Sequence, residues 1–394
     1  MAALTTFTDV PDDVLSLIFA EAVIDDPRWT EELAGVCRRF YEPARYLSVK
    51  RILIHDFHHS SHSPEAAVRR FSGAGHQNDG LAARELHWCA DFLRPEALWR
   101  VMALLPNVDR LCLRRVRLNE PVDWFPISAL RGLDLVDCTL SFAVLDCLLQ
   151  AVPNVLRLAV HGGETEFVPS TDEPAEEEPS LHHLPQALSA LHLDTRQALN
   201  ADRGGQWFVS AGNLQQLTLG MTGDRGWWSG VDIIDASAAS LQVLTLALNH
   251  LGEFWDINLD LYDCEALEHV TLSLAITEDG DELLYLWRAL SHLDSQRLQS
   301  VKVHIHLLSG HFEFQVLSDV EMRLRDIDAL LVRRLGGKAG AEVCVHLHFY
   351  LRTGHDETAR ALWNCFQGLA GDRAVLLVEA ITRHEYVMES IEAV

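Results

Sequence analysis

Val108-Asp109-Arg110-Leu111-Cys112-Leu113 decides how this chain folds. An apolar residue is followed, three positions on, by two apolar residues spaced two apart. Residues two apart on a strand point to the same side, so Leu111 and Leu113 call for one buried face. A strand this short cannot bury that face alone. The same pattern returns at Leu130/Leu133/Leu135, Val155/Leu158/Val160, Leu188/Leu191/Leu193, Leu214/Leu217/Leu219, Leu241/Leu244/Leu246, Leu267/Val270/Leu272 and Leu298/Val301/Val303. Weaker copies start at Val49 and Ala83. From Ala83 to Leu298 the starts lie 25, 22, 25, 33, 26, 27, 26 and 31 residues apart. Copies stacked at such a period bury a shared core, which predicts an α/β solenoid on a parallel sheet.

The period and the apolar spacing resemble leucine-rich repeats. Return segments should then cover the inner side of the sheet. Apolar stripes predict helices over 94–105, 141–152, 281–293, 326–335 and 355–369, with Pro95 near one start and Ser141 as a cap. Trp287 is expected to face inward with Leu286 and Leu290. Between 194 and 266 the returns are too polar and Gly-rich for long helices. There Trp207-Phe208, Trp227-Trp228 and Phe254-Trp255 are expected to fill the core instead. The 33-residue spacing contains Glu164 to Pro179, with seven carboxylates and three prolines. That segment, about 164–180, reads as an acidic disordered insertion, because it offers little apolar area to offset ordering.

Charge narrows the function classes. Against 57 Asp and Glu there are 32 Lys and Arg, a formal charge of −25. This excess disfavours nucleic acid and anionic membrane surfaces as partners. No charge-free run of spanning length and no signal-peptide pattern occurs, so a cytoplasmic or nuclear location is expected. Eight scattered cysteines without a Cys-x-x-Cys pair read as reduced, mostly buried thiols.

Residues 1–48 break the repeat and form a separate expected domain before a solenoid over 49–394. Pro11, Val14, Leu15, Ile18, Phe19 and Ala22 make one helical stripe. A second helix, capped by Thr30, carries Leu33, Val36, Cys37 and Phe40, and a short third one runs through Ala44 and Leu47. The run Val10-Pro11-x-x-Val14-Leu15-x-x-Ile18-Phe19, followed by Val36-Cys37-Arg38-Arg39-Phe40, resembles an F-box. Its run into repeats is similar to the F-box/leucine-rich-repeat proteins, especially the fungal type. Val10 and Phe40 stand where that family usually has Leu and often has Trp, so a weaker affinity is expected. The resemblance implies a non-catalytic substrate receptor of a Skp–cullin–RING ubiquitin ligase. Val10, Pro11, Val14, Leu15, Ile18, Phe19, Val36, Cys37, Phe40 and Leu47 would contact the Skp adaptor, and the repeats would hold an unidentified protein substrate. The alternative is a ligase-independent scaffold whose N-terminal helices only cap the solenoid.

Recognition is expected on the open, concave face of the sheet, at Arg114, Asp134, His161, His192, Thr218, Thr245, Thr271, Lys302, His304, His306, His346 and His348. The two His-x-His pairs are expected on neighbouring strands. The cluster His55, His58, His59 and His62 has no second ligand set, so no metal and no cofactor is assigned. No nucleophile or phosphate-loop motif occurs, and Arg115 and Arg117 are the sole, unspecific hint of a GTPase-activating arginine.

Overall fold

The computed structural model describes residues 50–56, 63–73, 77–118, 126–162, 166–167, 184–194, 208–209, 213–249, 259–276, 282–307, 314–335, 342–349, 364–366 and 374–380. The expected N-terminal domain and its adaptor residues lie outside them, as do His58, His59, His62, Trp207, Phe254, Trp255 and most of the acidic insertion and of 355–369.

Each apolar triplet found in the sequence becomes a strand. In chain order the strands begin β1 (Arg51–His55), β2 (Glu85–Cys89), β3 (Arg110–Arg114), β4 (Arg117–Leu118), β5 (Gly132–Val136), β6 (Thr139–Leu140), β7 (Arg157–His161), β8 (Glu166–Phe167) and β9 (Ala190–Asp194), of which β4, β6 and β8 come from no triplet. Six more follow: β10 (Gln216–Thr222), β11 (Val243–Asn249), β12 (His269–Ile276), β13 (Ser300–Leu307), β14 (Glu342–Phe349) and β15 (Ala374–Ala380). Twelve of them pair into one sheet in the order of the chain, skipping only β4, β6 and β8, which form a short second sheet. Every pair is parallel. The molecule is therefore α/β, with a solenoid-like succession of strands and returns. Part of the expected disordered insertion, Glu166–Phe167, is the strand that pairs with Thr139–Leu140.

Register aligns the repeats. Ile52, Leu86, Leu111, Leu133 and their equivalents through Val343 form one row, and Ile54, Trp88, Leu113, Leu135 through Val345 form the next. No member of either row is more than 5% exposed. Burying a side chain of this size contributes roughly 1.5–3 kcal/mol, so these rows dominate the stability.

Seven helices are described: α1 (Pro64–Ser72), α2 (Gln77–Ala82), α3 (Pro95–Met102), α4 (Phe142–Ala151), α5 (Gly223–Ser237), α6 (Glu282–Ser291) and α7 (Phe314–Leu335). Leu98, Val101 and Met102 of α3 and Leu145, Leu148 and Leu149 of α4 are buried as expected. Ser141 caps α4, its Oγ accepting from the Val144 N–H at 3.3 Å. Four expectations fail. α5 is a 15-residue helix where none was expected, because Ile233, Ile234 and Ala238 join the core and outweigh the cost of its glycines. Trp228, expected to fill the core, is 57% exposed on that helix, whereas Phe208 is fully buried. Trp287 also turns outward, since Tyr285, Leu286, Ala289 and Leu290 already fill the inner stripe of α6. α7 begins twelve residues before the expected Asp326, its apolar stripe extended by Val320 and Leu324.

One column sets the corner that follows the strands. Arg115, Asp137 and Gly162 stand one residue beyond β3, β5 and β7, and all three have left-handed φ, at 57°, 52° and 104°. Arg115 and Asp137 donate their N–H to Val136 and His161 carbonyls in the next repeat, at 2.9 and 3.0 Å. Only glycine fits the third corner: a Cβ at Gly162 would stand 2.2 Å from Asp137 Oδ1. At the opposite ends of the strands, side chains tie repeat to repeat. Asn107 Nδ2 donates to the Leu81 carbonyl at 2.7 Å, Asn154 Nδ2 to Ser128 at 3.0 Å, and Ser240 Oγ to Leu214 at 2.8 Å.

Candidate functional site

Alternation along the strands dictates the open face. Residues between the two buried rows point away from the helices, and register arranges them in rows that cross the whole sheet. A central row runs His87, Cys112, Asp134, Ala159, His192, Thr218, Thr245, Thr271, Lys302 and Cys344. One step toward the strand C-termini run Cys89, Arg114, Val136, His161, Asp194, Gly220, Ala247, Ser273, His304 and His346. β13 and β14 are eight residues long and add a further pair in register, His306 and His348. All twelve expected recognition residues thus occupy this face. They are not equally open to solvent. Asp134 is 2% exposed, because Arg110 on the neighbouring strand lies against it.

Four strands build a polar niche. Arg110 Nε donates to Asp134 Oδ2 at 2.7 Å, and burial of the pair is offset by this charge-assisted contact. Ala159, next in the row, has no exposed surface even though it belongs to the open face. The larger residues beside it, Asp134 and His192, account for that cover. The His161 and His192 rings stack with centroids 5.4 Å apart. Burial, aided by His161 and Arg157, pulls the His192 pKa down to about 4, which leaves its imidazole neutral at physiological pH. Asp134 Oδ1 and His192 Nε2 are both buried without a hydrogen-bond partner. Asp194 fits over Gly220, where a Cβ would stand 2.3 Å from its Oδ1, and burial pushes its pKa up.

The two ends of the face differ in chemistry. Toward the N-terminal strands, Arg51 Nε donates to Glu85 Oε2 at 2.9 Å, and His87 Nε2 lies 3.5 Å from the same oxygen. The His87 hydrogen bond, with Arg51 beside it, holds the Glu85 carboxyl at about 2 against the opposing effect of burial. Toward the C-terminal strands, the His304 and His346 rings lie 4.6 Å apart, and His346 Nε2 is 2.9 Å from Cys344 Sγ. The middle carries the small side chains of Thr218, Thr245, Thr271, Ala247 and Ser273.

The metal reading finds no geometry among the described residues. No group of three or more His, Cys, Asp or Glu side chains is placed to hold a metal ion. Burial pushes the thiols of Cys112 and Cys264 up to about 12 and that of Cys138 to about 11, far from thiolate character at neutral pH. Arg117 packs over the Phe92 ring at 5.9 Å, and Arg115 forms the corner of its repeat. No described helix is long and apolar enough to cross a membrane.

Sequence reading missed Arg110, Arg157, Glu85 and Asp194. Three of these start a strand, one position before the first buried residue, where the repeat pattern leaves the residue type open. Asp194 could have been found from Gly220, since a glycine at an open-face position marks a neighbour that needs its space. No family model matches the chain, and no curated protein is significantly similar to it.

Proposed function

We propose that the chain is a non-catalytic receptor of the F-box/leucine-rich-repeat kind, which docks a Skp adaptor through residues 10–47 and holds a protein target on the open face of its repeats. The observation that carries the target-binding half is the register of the sheet, which lines up polar, mostly small side chains along one uninterrupted face. Such a surface binds another macromolecule by shape and scattered contacts, as stacked repeats do. The adaptor half rests on the F-box-like motif, with Leu15 and Phe19 at the centre of its apolar stripe. The role is then proximity: a target lysine held beside a charged conjugating enzyme reacts at a raised effective concentration, with no catalytic group from this chain.

Co-expression of the full chain with a Skp adaptor, followed by size-exclusion chromatography, tests the reading. The expected result is co-elution that Leu15→Asp abolishes. A folded chain that elutes alone would leave the alternative, a repeat scaffold whose N-terminal helices are a cap.

A further inference from the structure

Among the open-face residues whose side-chain exposure is described, the exposed charges are Arg114, Arg157 and Lys302, all cations. Three acids of the face are withdrawn: the Asp134 side chain is 3% exposed under Arg110, Glu85 is 15% exposed between Arg51 and His87, and Asp194 is half-buried over Gly220. None of the three cations has an ion-pair partner among the described residues. This stands against the composition of the chain. Residues 162–394 carry 15 Lys and Arg against 36 Asp and Glu, whereas residues 50–161 carry 13 against 12. With screening over about 8 Å at physiological salt, the local cations rather than the distant acids set the potential at the face.

We infer that the open face binds an extended acidic polypeptide segment, with Arg114, Arg157 and Lys302 as its cationic contacts. The inference builds on the receptor reading and specifies its target. Arg114 on β3 and Arg157 on β7 are two strand spacings apart across the sheet and four residues apart along the strands, about 16 Å in all, and Lys302 on β13 lies five further spacings across and two residues along, about 25 Å. An extended chain rises about 3.3 Å per residue, so the matching carboxylates are about five and then about seven or eight residues apart. Between Arg157 and Lys302 the face offers Thr218, Thr245, Thr271, Ala247 and Ser273, small residues over which a backbone passes closely. Three cations on a strongly acidic chain are too few to neutralise a nucleic-acid backbone, which favours a polypeptide.

Fluorescence anisotropy of a labelled decaglutamate peptide, titrated with the full chain, tests this. Binding should weaken with added salt and fall about tenfold or more in Arg114→Gln/Arg157→Gln/Lys302→Gln. The control Arg69→Gln/Arg100→Gln/Arg333→Gln removes the same charge from exposed helix positions and should leave affinity unchanged. Thermal melts establish that both variants fold. Failure of decaglutamate to bind, an equal loss in both variants, or tighter binding of a single-stranded oligonucleotide that the first variant loses would each overturn the inference. The titration contains no adaptor, so its outcome and that of the co-elution experiment are independent.

Discussion

Arg110 and Asp134 show how a single residue position sets the character of the open face. The carboxylate is almost sealed from water and has one strong donor, so removing that donor leaves a buried charge without compensation. Arg110→Ala should therefore lower stability by about 2–3 kcal/mol, read as a shift in denaturant midpoint. Arg110→Ala/Asp134→Ala, which removes both partners, should recover much of the loss. His192 makes a second prediction. Its folded pKa, about 4, lies below the ordinary 6.5, so protonation favours the unfolded chain. Its contribution is complete above pH 6.5 and is lost as pH falls toward 4. Glu85, held at about 2, also loses its contribution on acidification, but only below its ordinary value of 4.5. Melting temperatures measured from neutral pH down to the ordinary Glu85 value should fall less in His192→Asn than in the parent chain.

Elements follow from apolar spacing wherever one face is buried. The strands of the large sheet from β2 to β13 were legible because Leu, Val and Ile recur at fixed offsets, and register followed from the alignment of the triplets; β4, β6 and β8 were not. α4 was legible from Ser141 and the stripe after it. Ser141→Ala should cost about 0.5–2 kcal/mol by removing the hydrogen bond to the Val144 N–H. α5 was not legible: glycines argue against a helix locally, and only packing of Ile233 and Ile234 against the sheet overrides them. Trp228 and Trp287 misled for a related reason, since aromatic residues report volume but not which side of a helix the core lies on. Within the sheet, Leu244→Ala should cost about 2–5 kcal/mol. Neighbour-to-neighbour coupling should confine its first effect to β10–β12, visible as faster amide exchange there.

At the scale of the whole molecule, repetition converts a weak local signal into a surface. One outward residue per repeat is unremarkable in sequence; aligned by register, twelve strands place these residues in continuous rows. What sequence did not reveal is which of them are available. Asp134 looks like any outward acid until Arg110 is seen beside it, and the exposed Arg114, Arg157 and Lys302 are hidden in a chain of charge −25. The same molecule is read as two modules, a small helical docking segment and a repeat surface, and that division is the central claim. Amide hydrogen exchange of the full chain, alone and with a Skp adaptor, tests it most directly. The account predicts new protection within residues 10–47 and unchanged exchange across β2–β14. Protection on the strands, or none in residues 10–47, would contradict it.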